Sequence, residues 1–236
     1  MAIFMAQRLL VNNFNDNIIK LVETSKESER FERKIPLKKG QSVYFRNNLI
    51  RKGFSNIYET RIITSIYFDT EDHLFARQNI NGENLRVKPR VRYYNSGYNN
   101  SVLEFKLKQN YNSYKKIIDK SKSISSYNFN IFKYFEELGS KILGLKLLPS
   151  SIVSYRRQYY NYKEIRLTID DNLYVKKLIN RKFIKQNMFQ LNLEVLEFKY
   201  KGKFDYLFRK NFNNFFDRSS RSNKCSKYIY SIAKTT

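Results

Sequence analysis

Between Asn84 and Tyr94 the chain reads NLRVKPRVRYY. Side chains alternate between the two faces of a strand, so Arg86, Lys88, Arg90 and Arg92 project to one side while Leu85, Val87 and Val91 take the other. Four cations in succession on one strand face repel one another, and that face needs water or a bound anion to neutralise it. The opposite face is apolar and has to be covered.

The same alternation recurs along the chain. In VLEFKLK, Glu104, Lys106 and Lys108 oppose Leu103, Phe105 and Leu107; in EIRLTID, Arg166, Thr168 and Asp170 oppose Ile165, Leu167 and Ile169. In EVLEFKYK, Glu197 and Lys199 oppose Leu196 and Phe198, and near the start Arg30, Glu32 and Lys34 alternate with Phe31 and Ile35, with Arg33 interrupting the apolar side. An open antiparallel sheet would leave the charged faces solvated. A closed one would make them the lining of a tunnel wrapped from outside by helices, the reverse of a filled barrel. The pattern by itself allows both shapes.

Carboxylates share these faces with the cations, which argues against a purely electrostatic nucleic-acid surface. Glu32, Glu104 and Glu197 beside lysines and arginines suit a metal-bound phosphate, because a divalent ion takes hard oxygen ligands and phosphate oxygens take Lys and Arg donors. Helical spacing appears elsewhere: Phe45 and Leu49 within 42–51, Phe132, Phe135 and Leu138 ending at Gly139, Phe204, Leu207, Phe208 and Phe215, and a short helix over 226–234. Val11, Phe14, Ile18, Leu21 and Val22 predict an N-terminal amphipathic helix within residues 1–25, docked on a body spanning 26–236. The whole reads as α+β with antiparallel strands predominating.

With 236 residues, 42% of them hydrophobic, and only 7 Gly and 3 Pro, the chain suits one folded domain rather than a disordered or linker-rich one. The net charge of +24 fits a polyanionic partner, although abundant Asn, Ile, Lys and Tyr also fit a compositional drift that inflates lysine on a solvated surface. Cys225 is the one cysteine and His73 the one histidine, which excludes an internal disulfide and argues against a zinc site or a Cys/His nucleophile. A reducing, cytoplasmic setting is expected. No stretch approaches the ~20 apolar residues of a membrane span, and a membrane partner would be a separate polypeptide.

The order of RFERK (30–34), SIYFDT (65–70), KPRVRYY (88–94), LEFKLK (103–108), SYRRQYY (154–160), RLTIDDNL (166–173), VLEFKY (195–200) and CSKYIYSI (225–232) resembles the VTC domain. This is the polyphosphate polymerase branch of the triphosphate tunnel metalloenzymes. The resemblance implies a closed, eight-stranded antiparallel tunnel flanked by helices. It also implies a nucleoside triphosphate and inorganic polyphosphate as ligands, and Mn²⁺ or Mg²⁺ as cofactor. Carried across by position, Lys34, Arg90, Arg92, Lys106, Arg157 and Arg166 match the phosphate-binding places, as does Lys116 of the KK pair. Tyr155 matches a tyrosine two residues before the second-half arginine, Glu197 the metal ligand with Lys199 beside it, and Ser226 and Lys227 the closing SK pair.

Hydrolytic relatives open with Glu-x-Glu-x-Lys, whereas Arg30 stands in the first glutamate's place here, which weakens a second metal site and favours transfer over hydrolysis. ATP-dependent extension of polyphosphate is therefore the expected activity. A triphosphatase on the same fold and a non-catalytic binder of polyphosphate or nucleic acid are the alternatives. No stable nucleic-acid complex is expected, and the protein would be a monomer or homodimer.

Overall fold

Each alternating segment becomes a strand. A computed structural model describes residues 2–25, 27–28, 30–95, 97–110, 112–119, 129–178, 188–212 and 225–233. In chain order these form α1 (Ala2–Glu23), β1 (Glu27–Ser28), β2 (Arg30–Leu37), α2 (Gln41–Arg51), β3 (Ser55–Asp69), α3 (Leu74–Asn81), β4 (Leu85–Tyr94) and β5 (Gly97–Gln109). They continue as β6 (Asn112–Asp119), α4 (Phe129–Leu143), β7 (Leu148–Tyr162), β8 (Ile165–Lys177), β9 (Phe189–Gln190) and β10 (Glu194–Lys201). A 3₁₀ turn (Gly202–Phe204), α5 (Asp205–Phe212) and α6 (Lys227–Ala233) complete them.

The described strands form one ten-stranded antiparallel sheet in the order β1-β6-β5-β4-β3-β7-β8-β10-β2, with β9 added beside β8. Of the expected closed, eight-stranded tunnel the structure shows the large antiparallel sheet flanked by helices: among the described residues the ladder is not closed by hydrogen bonds, and two of its strands are only two residues long. Glu27 and Ser28 pair with β6 at one edge of the sheet, and the chain pairs with β10 at the other edge from Arg30 onward, so neighbouring stretches of one chain border both edges.

Curvature nevertheless brings distant strands together. Six strand steps separate β5 from β2, on the order of 30 Å in a flat sheet, yet Lys106 Nζ of β5 lies 2.9 Å from Glu32 Oε2 of β2. The sheet therefore curls with its charged face inward.

Helices cover the outer face. One core packs Phe14, Ile18 and Val22 of α1 and Phe135 of α4 against Val87, Val91, Leu103, Phe105 and Leu107 of β4 and β5. A second packs Leu49 of α2 and Phe208 and Phe212 of α5 against Ile35, Leu167, Ile169, Leu196 and Phe198. Arg33, the interruption on the apolar side of β2, is absorbed there by Tyr200 and Asp205: its Nε donates to the Tyr200 hydroxyl (2.5 Å) and its Nη2 to Asp205 Oδ1 (3.0 Å).

Two helix expectations shift. α4 runs through Gly139 and stops before Gly144, whose φ of 69° is the left-handed conformation that ends helices. Gly139 serves packing instead, since a Cβ there would stand 2.8 Å from Leu147 Cδ1. α5 ends at Phe212, and Phe215 lies outside the described residues.

A third apolar cluster sits on the inner face, where α6 enters one end of the curled sheet. Tyr228 stacks on Tyr67 at 4.8 Å, packing with Val153, Tyr155, Leu173, Val175 and Val195. Buried Asp69, at the end of β3, ties this together by accepting the Thr70, Phe75 and Ala76 N–H groups (2.8, 2.9 and 3.0 Å) and the Tyr228 hydroxyl. Asp69→Ala strands these buried donors and is expected to cost about 3 kcal/mol of stability, read from the urea midpoint. An unchanged midpoint would remove Asp69 from this role.

Candidate active site on the inner face

Register aligns the charged positions of neighbouring strands. Arg90 stands opposite Glu104 and Lys88 opposite Lys106 across β4 and β5, while Arg90 and Arg92 face Tyr67 and Ser65 of β3. Glu104 is the hub of this half. Arg90 Nε donates to its Oε1 (2.5 Å), Arg92 Nη1 lies 3.6 Å from the same oxygen, and Lys115 Nζ lies 3.9 Å from Oε2. Arg92 Nε also donates to Ser65 Oγ (3.1 Å), and Arg90 Nη1 to the Tyr67 hydroxyl (3.4 Å).

On the facing side, β2 and β10 pair Glu197 with Lys34 and Lys199 with Glu32. Lys34 Nζ lies 3.5 Å from Glu197 and 4.0 Å from Glu32, and Lys199 Nζ lies 3.3 Å from Glu32 and 3.7 Å from Glu197. Lys106 reaches across from β5 to join Glu32. Two carboxylates are thus shared by three ammonium groups.

β7, β8 and α6 supply the third part. Arg157 grips Asp170 in a fork, Nε to Oδ1 at 2.5 Å and Nη2 to Oδ2 at 2.7 Å, and its Nη2 also lies 3.4 Å from Glu197. A bulge in β8 between its pairings with Ser154 and Arg156 contains Asn172, at φ 47°. Alternation puts Asp170 inward and Asp171 outside, where it holds Arg156, and the bulge beyond them turns Leu173 and Val175 inward. Lys227 Nζ reaches Asp170 Oδ2 (2.6 Å) and lies 4.8 Å over the Tyr155 ring, while Lys88 Nζ donates to Ser226 Oγ (3.0 Å). Arg166 has no such fork. Its Nε and the neighbouring Thr168 Oγ1 are buried with no hydrogen-bond partner, and its guanidinium stands 5.5 Å over Tyr159.

The electrostatics show cations in excess of carboxylates. Burial, then Lys34, Lys106 and other cations, hold the Lys88 amine well below the usual lysine range. Burial and Lys34 likewise bring Lys106 down to about 8, despite its contact with Glu32. Burial alone would raise the carboxylates, but the crowd of cations outweighs it: Glu32 and Glu104 fall to about 2, and Glu197 well below its usual range. All three are ionised at neutral pH, and the site still carries more positive charge than they balance.

Lys34, Arg90, Arg92, Lys106, Tyr155, Arg157, Arg166, Glu197 and Lys199 thus come together on the inner face, with Ser226 and Lys227 delivered by α6. Lys116 does not. β6 pairs Lys115 with Lys106 and Lys116 with Phe105, so Lys116 faces outward and its Nζ donates to the Thr24 carbonyl at the end of α1 (2.9 Å). Strand parity counted back from Lys106 would have chosen Lys115. Lys88, Glu104 and Asp170 carried the right parity but were not singled out as site residues.

The family model described as the VTC domain matches residues 25–236. The chain belongs to the VTC domain family. A putative adenylate cyclase from Bacillus halodurans shares its fold, with 14% identity and a TM-score of 0.52 over 86% of this chain and 97% of that one. A Pyrococcus horikoshii protein matches at 12% identity and a TM-score of 0.50, over 86% and 99%. No curated protein matches the chain. These two similarities show the fold; a divalent metal is what the resemblance read from the sequence implies.

The donor set of this VTC domain fits such an ion in one way. Among the described residues no three carboxylate, histidine or cysteine groups converge, but Glu32 and Glu197 face one gap, are ionised, and have lysine contacts of 2.9–4.0 Å. Magnesium is commonly held by one or two carboxylates with phosphate oxygens completing its shell.

Two outcomes follow from this geometry. Because Lys106 is depressed relative to an unfolded lysine near 10.4, the free folded protein binds fewer protons there, and its stability contribution rises with pH between about 8 and that value. An anion in the site reverses the shift, so tripolyphosphate binding at pH 8.5 should take up protons and weaken as pH rises further. Calorimetry in two buffers of different ionisation enthalpy reads this directly, and zero uptake would contradict it. Lys115→Ala should weaken tripolyphosphate binding about threefold to tenfold, whereas Lys116→Ala should leave it unchanged; the reverse result would overturn the inward placement of Lys115.

Proposed function

We propose that this VTC domain extends inorganic polyphosphate, transferring the terminal phosphoryl group of ATP to a chain held on its inner face. The observation that carries the reading is the charge imbalance around half-buried Lys88 and Lys106, two amines held below their usual range in a space crowded by cations. A triphosphate supplies the missing negative charge. Taking such an anion out of water is costly unless fixed donors meet it, and Lys34, Arg90, Arg92, Lys106, Arg157 and Arg166 are six such donors on strands.

A terminal oxygen of the polyphosphate attacks the γ-phosphorus, the bond from that phosphorus to the β–γ bridging oxygen breaks, and ADP leaves. The attacking oxygen is already ionised, so no side-chain base is needed. Phosphoryl transfer passes through a loose transition state with charge spread over the moving oxygens, and positioned cations supply most of the stabilisation. Glu197 and Glu32 would hold Mg²⁺ or Mn²⁺, which supplies further neutralisation of phosphate charge. Lys199, Lys227 and Ser226 would hold the chain end or the leaving diphosphate. Arg30, in the place of a metal-binding glutamate, removes a ligand for a second ion and disfavours activation of water.

Incubation with ATP and Mn²⁺ should yield acid-precipitable polymer. Free phosphate alone would assign hydrolysis, and tight polyphosphate binding with no turnover would assign a binding protein. Lys106→Ala and Arg92→Ala should each lower kcat about a hundredfold, the scale of losing one preorganised donor. Full activity in both would refute the inner-face site.

A further inference from the structure

The two ends of the inner face differ. α6 and its apolar surroundings occupy one end. At the other, β3 runs on past its last pairing with β4, Ile63 opposite Tyr94, and its residues 55–62 are exposed while still paired with β7. A β-bulge lies between Tyr58 and Arg61, where Glu59 and Thr60 of β3 oppose the single Gln158 of β7. Without it, strand alternation would send Tyr58 and Arg61 to opposite faces. With it, Tyr58 stands opposite inward-facing Tyr159 and Arg61 opposite inward-facing Arg157.

A group of rings and guanidiniums results. Tyr58 meets Tyr159 edge to face at 5.7 Å, and Arg166, with its unpartnered buried Nε, covers Tyr159 at 5.5 Å. Arg61, Arg157 and Tyr94 all act electrostatically on the Tyr159 hydroxyl. Tyr58 is 53% and Tyr94 36% exposed, and Arg61 has no ion-pair partner among the described residues. One exposed tyrosine would mean nothing, but here a bulge aims a ring and a guanidinium together into the mouth of a phosphate-binding face.

We propose that Tyr58, Arg61 and Tyr94 form a rim that stacks the base of a nucleoside triphosphate, beside the arginines that hold its phosphates. This rests on the triphosphate reading above and names what the inner face takes beyond the phosphates. Arg157 and Tyr159 are two residues apart on β7, about 7 Å along the strand, which is a span that a ribose bridges between phosphate and base. Aromatic faces and guanidiniums hold a base through its π-face, so the rim binds adenine and guanine alike and does not read their edges.

Titration calorimetry with ATP and with inorganic tripolyphosphate, on the wild type, Tyr58→Ala and Tyr58→Phe, tests the rim. Tyr58→Ala should weaken ATP about tenfold and leave tripolyphosphate within about twofold, while Tyr58→Phe keeps the ring and the ATP affinity. Equal loss for both ligands, or unchanged ATP affinity, with wild-type tripolyphosphate binding intact, overturns the rim and leaves the triphosphate reading standing. A wild type that fails to bind tripolyphosphate overturns both.

Discussion

A curled sheet can keep Arg90, Arg92 and Lys106 on its inside only if carboxylates from other strands meet them, and this requirement organises the molecule. Glu104, Glu32, Glu197 and Asp170 come from four different strands, and each contacts two or more cations. Glu32 also bridges the part of the structure where the backbone ladder is open, through Lys106. Removing one of these carboxylates would leave several buried cations unpaired, a larger penalty than the pair itself is worth. The carboxylates are too few to neutralise the face. That shortfall favours a bound anion, so stability and affinity draw on the same charges.

The strands were legible because burial on one side and charge on the other enforce a period of two, and β2, β4, β5, β8 and β10 fall where that period does. Closure was not legible. Whether a sheet's two edges meet depends on which strands border them, and nothing in the local pattern of RFERK records which neighbour each residue pairs with. The α4 boundary failed for a similar reason: Gly139 looks like a helix end in sequence, and only the close approach of Leu147, across the turn after α4, explains a glycine inside the helix.

Strand parity accounts for which charged residues lie on the inner face, and Lys116, matched by position in a KK pair, lies outside it. Arg90, Arg92, Lys106, Arg166, Glu197 and Lys199 share the inner face because each lies an even number of residues from a charged neighbour on its own strand. Lys116 was chosen from a KK pair, and a one-residue slip in a strand reverses the face. Tyr58 and Arg61 show the opposite limit. They are three residues apart, which strict alternation assigns to different faces, and the bulge that unites them arises from β3–β7 pairing more than ninety residues apart in sequence.

The inner face is graded along its length, from the apolar end filled by α6, through the ion network, to the tyrosine and arginine mouth. A ligand with a charged tail and a planar head has one favourable direction in such a gradient, phosphates inward and base outward. A growing polyphosphate is charged throughout and matches neither end. Passage at the α6 end would require breaking the Tyr67–Tyr228 stack, the Asp69–Tyr228 hydrogen bond and the buried Ser231–Ser151 contact. Passage at the mouth would have the polymer share space with the nucleoside. Under the proposed polymerase reading, departure of the spent nucleotide and advance of the chain would then compete for the mouth.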